Sequence, residues 1–178
     1  MLGMYTKKIY FSGGDFHELQ AVFTGLPGVV ATQTGYLRGE GNDDEVHGIE
    51  VEYNPKKVDL SMLMDILFAV VTPYRPDGQG KAIGKEFRAG VWYTDAEDEP
   101  QLQFYMHFLA SRGKPPAATG AGLTINDPNS KAVRKCYAKA VLLTDFRVAA
   151  EEHQQYFTKH PDAESFIDWQ AFREQVRY

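Results

Sequence analysis

Redox chemistry on this chain has a single thiol to draw on. Cys136 is the only cysteine among 178 residues, which excludes an internal disulfide, a Cys-x-x-Cys pair and a multi-cysteine zinc site within one chain. It lies in Lys131-Ala132-Val133-Arg134-Lys135-Cys136-Tyr137, where the basic residues would lower a thiol pKa only if they were close in space. Five histidines, His17, His47, His107, His153 and His160, supply imidazoles for proton transfer or metal ligation. None of them forms a His-Glu-x-x-His or comparably compact pattern. A carboxylate stands at one further reactive place: Asp15 follows Gly13-Gly14 and precedes Glu18 by three residues. That is the spacing of a capping box at a helix start, where the positive end of the helix stabilises an anion.

The elements that must position these groups follow from hydrophobic spacing. Lys8 to Phe11 read as a strand ended by Ser12-Gly13-Gly14, after which Phe16, Leu19, Val22 and Phe23 recur with helical period until Gly25 and Pro27. Val29 to Tyr36 form a second strand, and Ile49, Val51 and Tyr53 alternate with Glu50 and Glu52 in a third, so the two are expected to pair antiparallel. Asp59 caps a helix carrying Leu60, Leu63, Ile66, Leu67 and Val70 on one face. After a turn-rich stretch from Thr72 to Gly84 comes a strand, Ala89 to Tyr93. The order βαββαβ predicts an α+β fold, a ferredoxin-like two-layer sandwich. A helix from Glu97 to Ser111, a Gly- and Pro-rich loop from Gly113 to Ser130, a strand at Ala140 to Leu143 and a helical tail with Phe166, Trp169 and Phe172 complete it. No linker or repeat divides residues 1 to 178, so a single domain is expected, long enough to bury about two-thirds of its unfolded surface.

Charge narrows the partners. Nineteen basic against 24 acidic residues give a net charge of −5, and the basic cluster Lys131, Arg134, Lys135 and Lys139 reads as a solvated face, which argues against a nucleic-acid or anionic-membrane partner. The longest apolar run, Ile66 to Val71, is far short of a membrane span, and Met1 to Phe11 lack the layout of a secretory signal. A cytoplasmic location is expected.

At Phe11-Ser12-Gly13-Gly14-Asp15-Phe16-His17-Glu18 the chain resembles the peptide methionine sulfoxide reductase A family, whose signature there is Phe-Ala-Gly-Gly-Cys-Phe-Trp. The resemblance continues in order through Leu26-Pro27-Gly28-Val29, Gly35-Tyr36, Val51-Glu52-Tyr53-Asn54-Pro55, Gln79-Gly80, Gly84-Lys85-Glu86-Phe87-Arg88 and Glu151-Glu152-His153-Gln154-Gln155-Tyr156. It implies a reductase of the S epimer of methionine sulfoxide in peptides, recycled by thioredoxin. In such an enzyme a thiolate at a helix start attacks the sulfoxide sulfur, and the oxygen ends on the enzyme as a sulfenic acid.

The same resemblance places other residues at the reactive positions. Asp15 stands where the family has its nucleophilic cysteine, and His17 where a tryptophan helps form the seat of the substrate methyl group. His47 falls on the acidic proton donor and Glu45 on a neighbouring histidine, Ala82 on an aspartate and Phe87 on a tyrosine, while the tyrosine-bearing loop is missing between Gly41 and Glu45. A carboxylate has no oxidation ladder to climb, so Asp15 cannot accept the sulfoxide oxygen as a thiolate does. The expectation is a degenerate family member with a remodelled pocket. Asp15 and His47 take the catalytic positions, and Phe16, His17 and Phe87 contact a methionine sulfoxide side chain or a small ligand. No cofactor is expected, and thioredoxin is a partner only if the chain is a reductase. The alternatives are a reductase using another thiol, which would be Cys136, or an acid–base or metal site. The last would draw on Asp15, His17 and His47, with Glu18 and Glu45 as further carboxylates; no metal is expected. Arg88 is expected to pair with a carboxylate or to cap a chain end.

Overall fold

The structure, a computed structural model, describes residues 5–111, 135–165 and 167–175. The Gly113 to Ser130 loop, Lys131, Arg134 and Phe166 lie outside the described residues.

Alternation in the strands builds two cores on opposite faces of one sheet. In β1 (Lys7–Ser12) Ile9 and Phe11 point to one side and Tyr10 to the other; in β6 (Gly90–Tyr93) Val91 and Tyr93 oppose Trp92 in the same way. The larger core takes Ile9, Phe11, Val91 and Tyr93 together with Ile49, Val51 and Tyr53 of β3 (Asn42–Tyr53). Helices pack against it, among them three that precede β7 (Lys139–Val148) and one that carries Phe172. α1 (Phe16–Phe23) contributes Phe16, Leu19, Val22 and Phe23; α2 (Leu60–Val70) contributes Leu63, Ile66 and Leu67. α3 (Glu99–Ala110) contributes Leu102, Met106 and Leu109. Each such side chain, fully buried, contributes about 1.5–3 kcal/mol. The second core is small: Tyr10, Leu37, Val46 and Trp92, packed with Val141, Leu143 and Phe146. Within it the Trp92 indole N–H donates to the Ser12 hydroxyl at 2.9 Å.

The caps follow the sequence. Asp59 accepts from the amide of Met62 at 2.8 Å, and the Asp15 carboxylate from that of His17 at 2.8 Å. β2 (Val29–Gly39) and β3 pair antiparallel, with Thr32 opposite Val51 and Thr34 opposite Ile49, joined through a turn at Glu40 and Gly41. Two-residue strands β4 (Gly78–Gln79) and β5 (Ala82–Ile83) form a separate hairpin within the turn-rich stretch.

The sheet corrects the expected ferredoxin-like βαββαβ sandwich. With Lys139–Val148 as β7, its strands run β1-β3-β2-β7-β6 and close into a mixed barrel, because β6 returns to pair with β1. The closing strand is β7 (Lys139–Val148), ten residues long where spacing gave only Ala140 to Leu143. Its first half lies parallel to β6, Lys139 to Leu142 against Gly90 to Tyr93. Its second half lies antiparallel to β2, from Leu143 opposite Gly39 to Val148 opposite Gly35. One long strand thus joins the two edges that an open sandwich would leave unpaired, and satisfies their backbone groups. The tail continues through a 3-10 turn at Glu151–His153, α4 (Tyr156–Lys159) and α5 (Trp169–Gln175).

Candidate functional site

The start of α1 is held by its glycines. Gly14 has φ +74, the left-handed region open to glycine, and a Cβ there would meet Gln79 at 2.8 Å. Its amide donates to the carbonyl of Phe87 at 2.9 Å, tying the turn to the 3-10 segment Lys85–Phe87. Gln79 in turn receives the Thr72 amide at 2.8 Å and donates to the Thr72 carbonyl at 2.7 Å, fixing the hairpin to the end of α2. A cavity of about 330 Å³ opens between these elements beside Asp15, with Leu19, Val71 and Ile167 among its walls.

Asp15 is the N-cap of α1, and its Oδ1 also lies 3.2 Å from His17 Nδ1. Burial works against its charge. Hydrogen bonds from the His17 ring and amide, with the imidazoles of His17 and His47 nearby, outweigh it and hold the carboxyl below its ordinary 3.8. From the other side of the ring, His17 Nε2 lies 3.0 Å from His153 Nδ1. The result is a carboxylate–imidazole–imidazole chain, Asp15 to His17 to His153.

Phe16 is the hub of the aromatic side chains. His47 stacks on it at 5.0 Å, and Tyr36, His17 and His153 lie at 5.7, 5.0 and 5.5 Å. His47 meets Phe87 edge-on at 5.0 Å and Tyr36 at 5.2 Å. Burial pushes the His47 imidazole below its ordinary value; Glu86, Asp15 and Glu45 pull it up and His153 adds to the lowering. Asp15, Phe16, His17, His47 and Phe87 are therefore gathered at one place.

Other candidates go elsewhere. Glu45 is bound by Arg147 at 2.8 and 3.1 Å, and that guanidinium lies over Tyr36 at 4.3 Å. Glu18, buried, accepts from the Ser165 hydroxyl at 2.8 Å. Arg88 pairs with Asp44 at 2.7 Å and donates to the Lys85 carbonyl at 3.1 Å, both of the roles its type suggested. Cys136, half-buried ahead of β7, donates from Sγ to the Ala138 carbonyl at 3.6 Å, and burial pushes its thiol up. That environment keeps it protonated, the opposite of an activated nucleophile. Among the described residues no group of three or more His, Cys, Asp or Glu side chains could hold a metal ion, and no helix is long and apolar enough to cross a membrane.

Sequence reasoning missed His153 as a member of this cluster. Its place in Glu151-Glu152-His153-Gln154-Gln155-Tyr156 was the available signal, but its partner His17 is 136 residues away and only the fold joins them. Gln154 explains how: it donates to the carbonyls of Thr34 and Ala149 at 3.0 and 3.1 Å and accepts from the Thr34 amide at 3.0 Å.

The comparisons with known proteins agree on one family. The sequence profile described as peptide methionine sulfoxide reductase matches residues 7–178. A peptide methionine sulfoxide reductase of Mycoplasma genitalium is 30% identical over 172 residues, covering 88% of this chain and 94% of the relative. Methionine sulfoxide reductase A of Corynebacterium diphtheriae superposes with TM-score 0.69 at 20% identity, over 90% of this chain and 78% of that one. Mxr1 from Saccharomyces cerevisiae in complex with Trx2 superposes with TM-score 0.54 at 19% identity, over 85% and 84%.

Proposed function

Because the chain belongs to the peptide methionine sulfoxide reductase family, we propose that it keeps the family's fold and binding place but not its thiol chemistry. On this reading it binds a methionine sulfoxide side chain or a small ligand of similar size. The observation that carries it is Asp15. The residue at the start of α1 is a carboxylate, engaged by the amide and the ring of His17. A carboxylate can stabilise a positive centre, but it cannot take oxygen from a sulfoxide and be regenerated by thiols. The His47 imidazole between Phe16 and Phe87 supports a pocket more polar and more filled than one that seats a methyl group. Cys136, its thiol pushed up by burial, does not supply the missing thiolate. Thioredoxin is then not a required partner, and the proposed location is cytoplasmic.

The test is turnover of a methionine-(S)-sulfoxide peptide with excess dithiothreitol, using the protein beside Cys136→Ala and Asp15→Cys. The expected result is a silent parent and measurable turnover by Asp15→Cys, which would show that the pocket still takes the sulfoxide. A silent Asp15→Cys leaves the small-ligand form of the reading. Turnover by the parent that is abolished in Cys136→Ala would overturn it and make Cys136 the nucleophile.

A further inference from the structure

Residues 149–160 reach back over α1 and β2, and most of what holds them there has no charge. The Ala149 amide and Gln154 bond to Thr34, the Gln155 amide donates to Gln20 Oε1 at 2.7 Å, and the Thr34 hydroxyl donates to the His153 carbonyl at 3.0 Å. One contact differs in kind, the 3.0 Å approach of His17 Nε2 to His153 Nδ1.

Two imidazoles in that geometry share one N–H. A first added proton is accommodated: His17 becomes an imidazolium with Asp15 Oδ1 at 3.2 Å as its counter-ion, and its Nε2–H still donates to neutral His153. A second proton puts N–H against N–H and two cations in contact. Among the described residues no carboxylate lies within ion-pair distance of His153 to offset that charge.

We infer that the His17–His153 contact is an acid-sensitive latch: it holds the 149–160 segment on α1 while the pair carries at most one added proton, and releases the segment when both rings are charged.

The other groups around the pair do not cancel this effect. His47 faces His153 from β3 and, when charged, adds to the repulsion; Glu86 and Glu45 lie on the His47 side. Tyr156 stacks on His17 at 4.3 Å and lies tilted against His160 at 4.4 Å. A tyrosine face tolerates a cation, so charging those rings does not by itself break the stack. Glu151 and Lys159 pair with one another at 3.2 Å on the exposed side of the segment.

The inference is independent of which ligand the site takes, and its test reads no activity. Amide hydrogen exchange on the full chain, corrected for the intrinsic pH dependence, is followed from pH 7.5 to pH 5. Protection of residues 149–160 should fall more than tenfold while β1 and β3 keep theirs. His153→Asn, which cannot charge, should hold the same protection at both pH values; His107→Gln and His160→Gln should keep the transition. Protection that survives at pH 5, or falls equally across the barrel, would overturn the latch. If His153→Asn frees the segment at both pH values, imidazole ¹⁵N titration of the unaltered protein decides. Loss of protection must then track uptake of the second proton by the pair, and uptake of both protons with the segment still protected would overturn the inference.

Discussion

The imidazole of His47 lies face to face with the ring of Phe16, centroids 5.0 Å apart, and makes a T-shaped contact with Phe87 at the same distance. A titratable group therefore fills the space between two apolar rings, and the fold opposes its charge. Burial leads that opposition, with His153 adding to it, while Glu86, Asp15 and Glu45 offset only part.

The consequence is a pH-dependent stability that His47→Phe should remove. A histidine whose folded pKa is depressed binds fewer protons in the folded than in the unfolded chain. Folding is then penalised as pH falls below the ordinary 6.5, and the penalty grows until the folded pKa is reached. Phenylalanine keeps a ring between Phe16 and Phe87 without the titration. Urea midpoints taken between pH 7.5 and pH 5 should fall less steeply for the variant than for the parent. Parallel slopes would show that His47 takes up its proton as freely as in the unfolded chain.

Asp15 has the opposite sign. Its folded pKa is below the ordinary 3.8, so the stabilisation it gives is fully present above that value and is lost as pH falls toward the folded pKa. Asp15→Ala removes the cap of α1 and should cost about 1 kcal/mol at pH 7. Asp15→Asn keeps a capping oxygen and loses the charge, so it should cost less. The gap between Asp15→Asn and the parent, measured by urea unfolding, should narrow as pH falls below 3.8. A gap that persists in strong acid would mean that the carboxylate charge is not what the site uses.

Much of this arrangement was legible before folding was considered. The glycine turn, the Asp15 and Asp59 caps and the β2–β3 pairing are local or near-local, and spacing alone carries them. The ordered family motifs pointed to Asp15, Phe16, His17, His47 and Phe87, which lie near one another in the fold. Barrel closure was not legible, because it depends on β7 meeting two distant edges with its two halves. Six of its ten residues lie beyond the apolar run that marked the strand. His153 was hidden for a related reason, since its role comes from a partner in α1 and not from its neighbours in sequence.

Closure makes a demand that can be tested at Gly35. A Cβ built there would collide with the Phe146 ring and meet the Arg147 carbonyl oxygen at 2.5 Å. The ring could turn aside, but the carbonyl belongs to the β2–β7 ladder, where Gly35 faces Val148 and Tyr36 faces Arg147. Gly35→Ala must therefore shift backbone at the seam, and overpacking of this kind costs about 1–3 kcal/mol. The loss should appear in the urea midpoint together with faster amide exchange in β7 and unchanged exchange in β1. A fully stable Gly35→Ala would mean that β2 and β7 can separate at no cost, and the barrel would be open in solution.

Gln154 anchors the same region from the tail. Thr34 is fully buried, and the side chain of Gln154 accepts from its amide and donates to its carbonyl, each at 3.0 Å, while also donating to the Ala149 carbonyl. Gln154→Ala leaves the Thr34 N–H without the acceptor it has here, and a buried polar group stripped of its partner costs about 1–3 kcal/mol. The cost should be local, because the barrel strands other than β2 make no use of this side chain. Hydrogen exchange at neutral pH should show residues 149–160 deprotected while β1 and β3 stay closed. Gln154→Glu should behave differently: its carboxylate still accepts from the Thr34 amide but faces the Thr34 and Ala149 carbonyls with no proton to give. Protonation restores a donor, so with His153→Asn added to remove the acid-sensitive contact the segment in that variant should gain protection as pH falls toward 4, whereas Gln154→Ala in the same background should gain none. Equal behaviour of the two variants would show that the tail is held by contacts other than this amide.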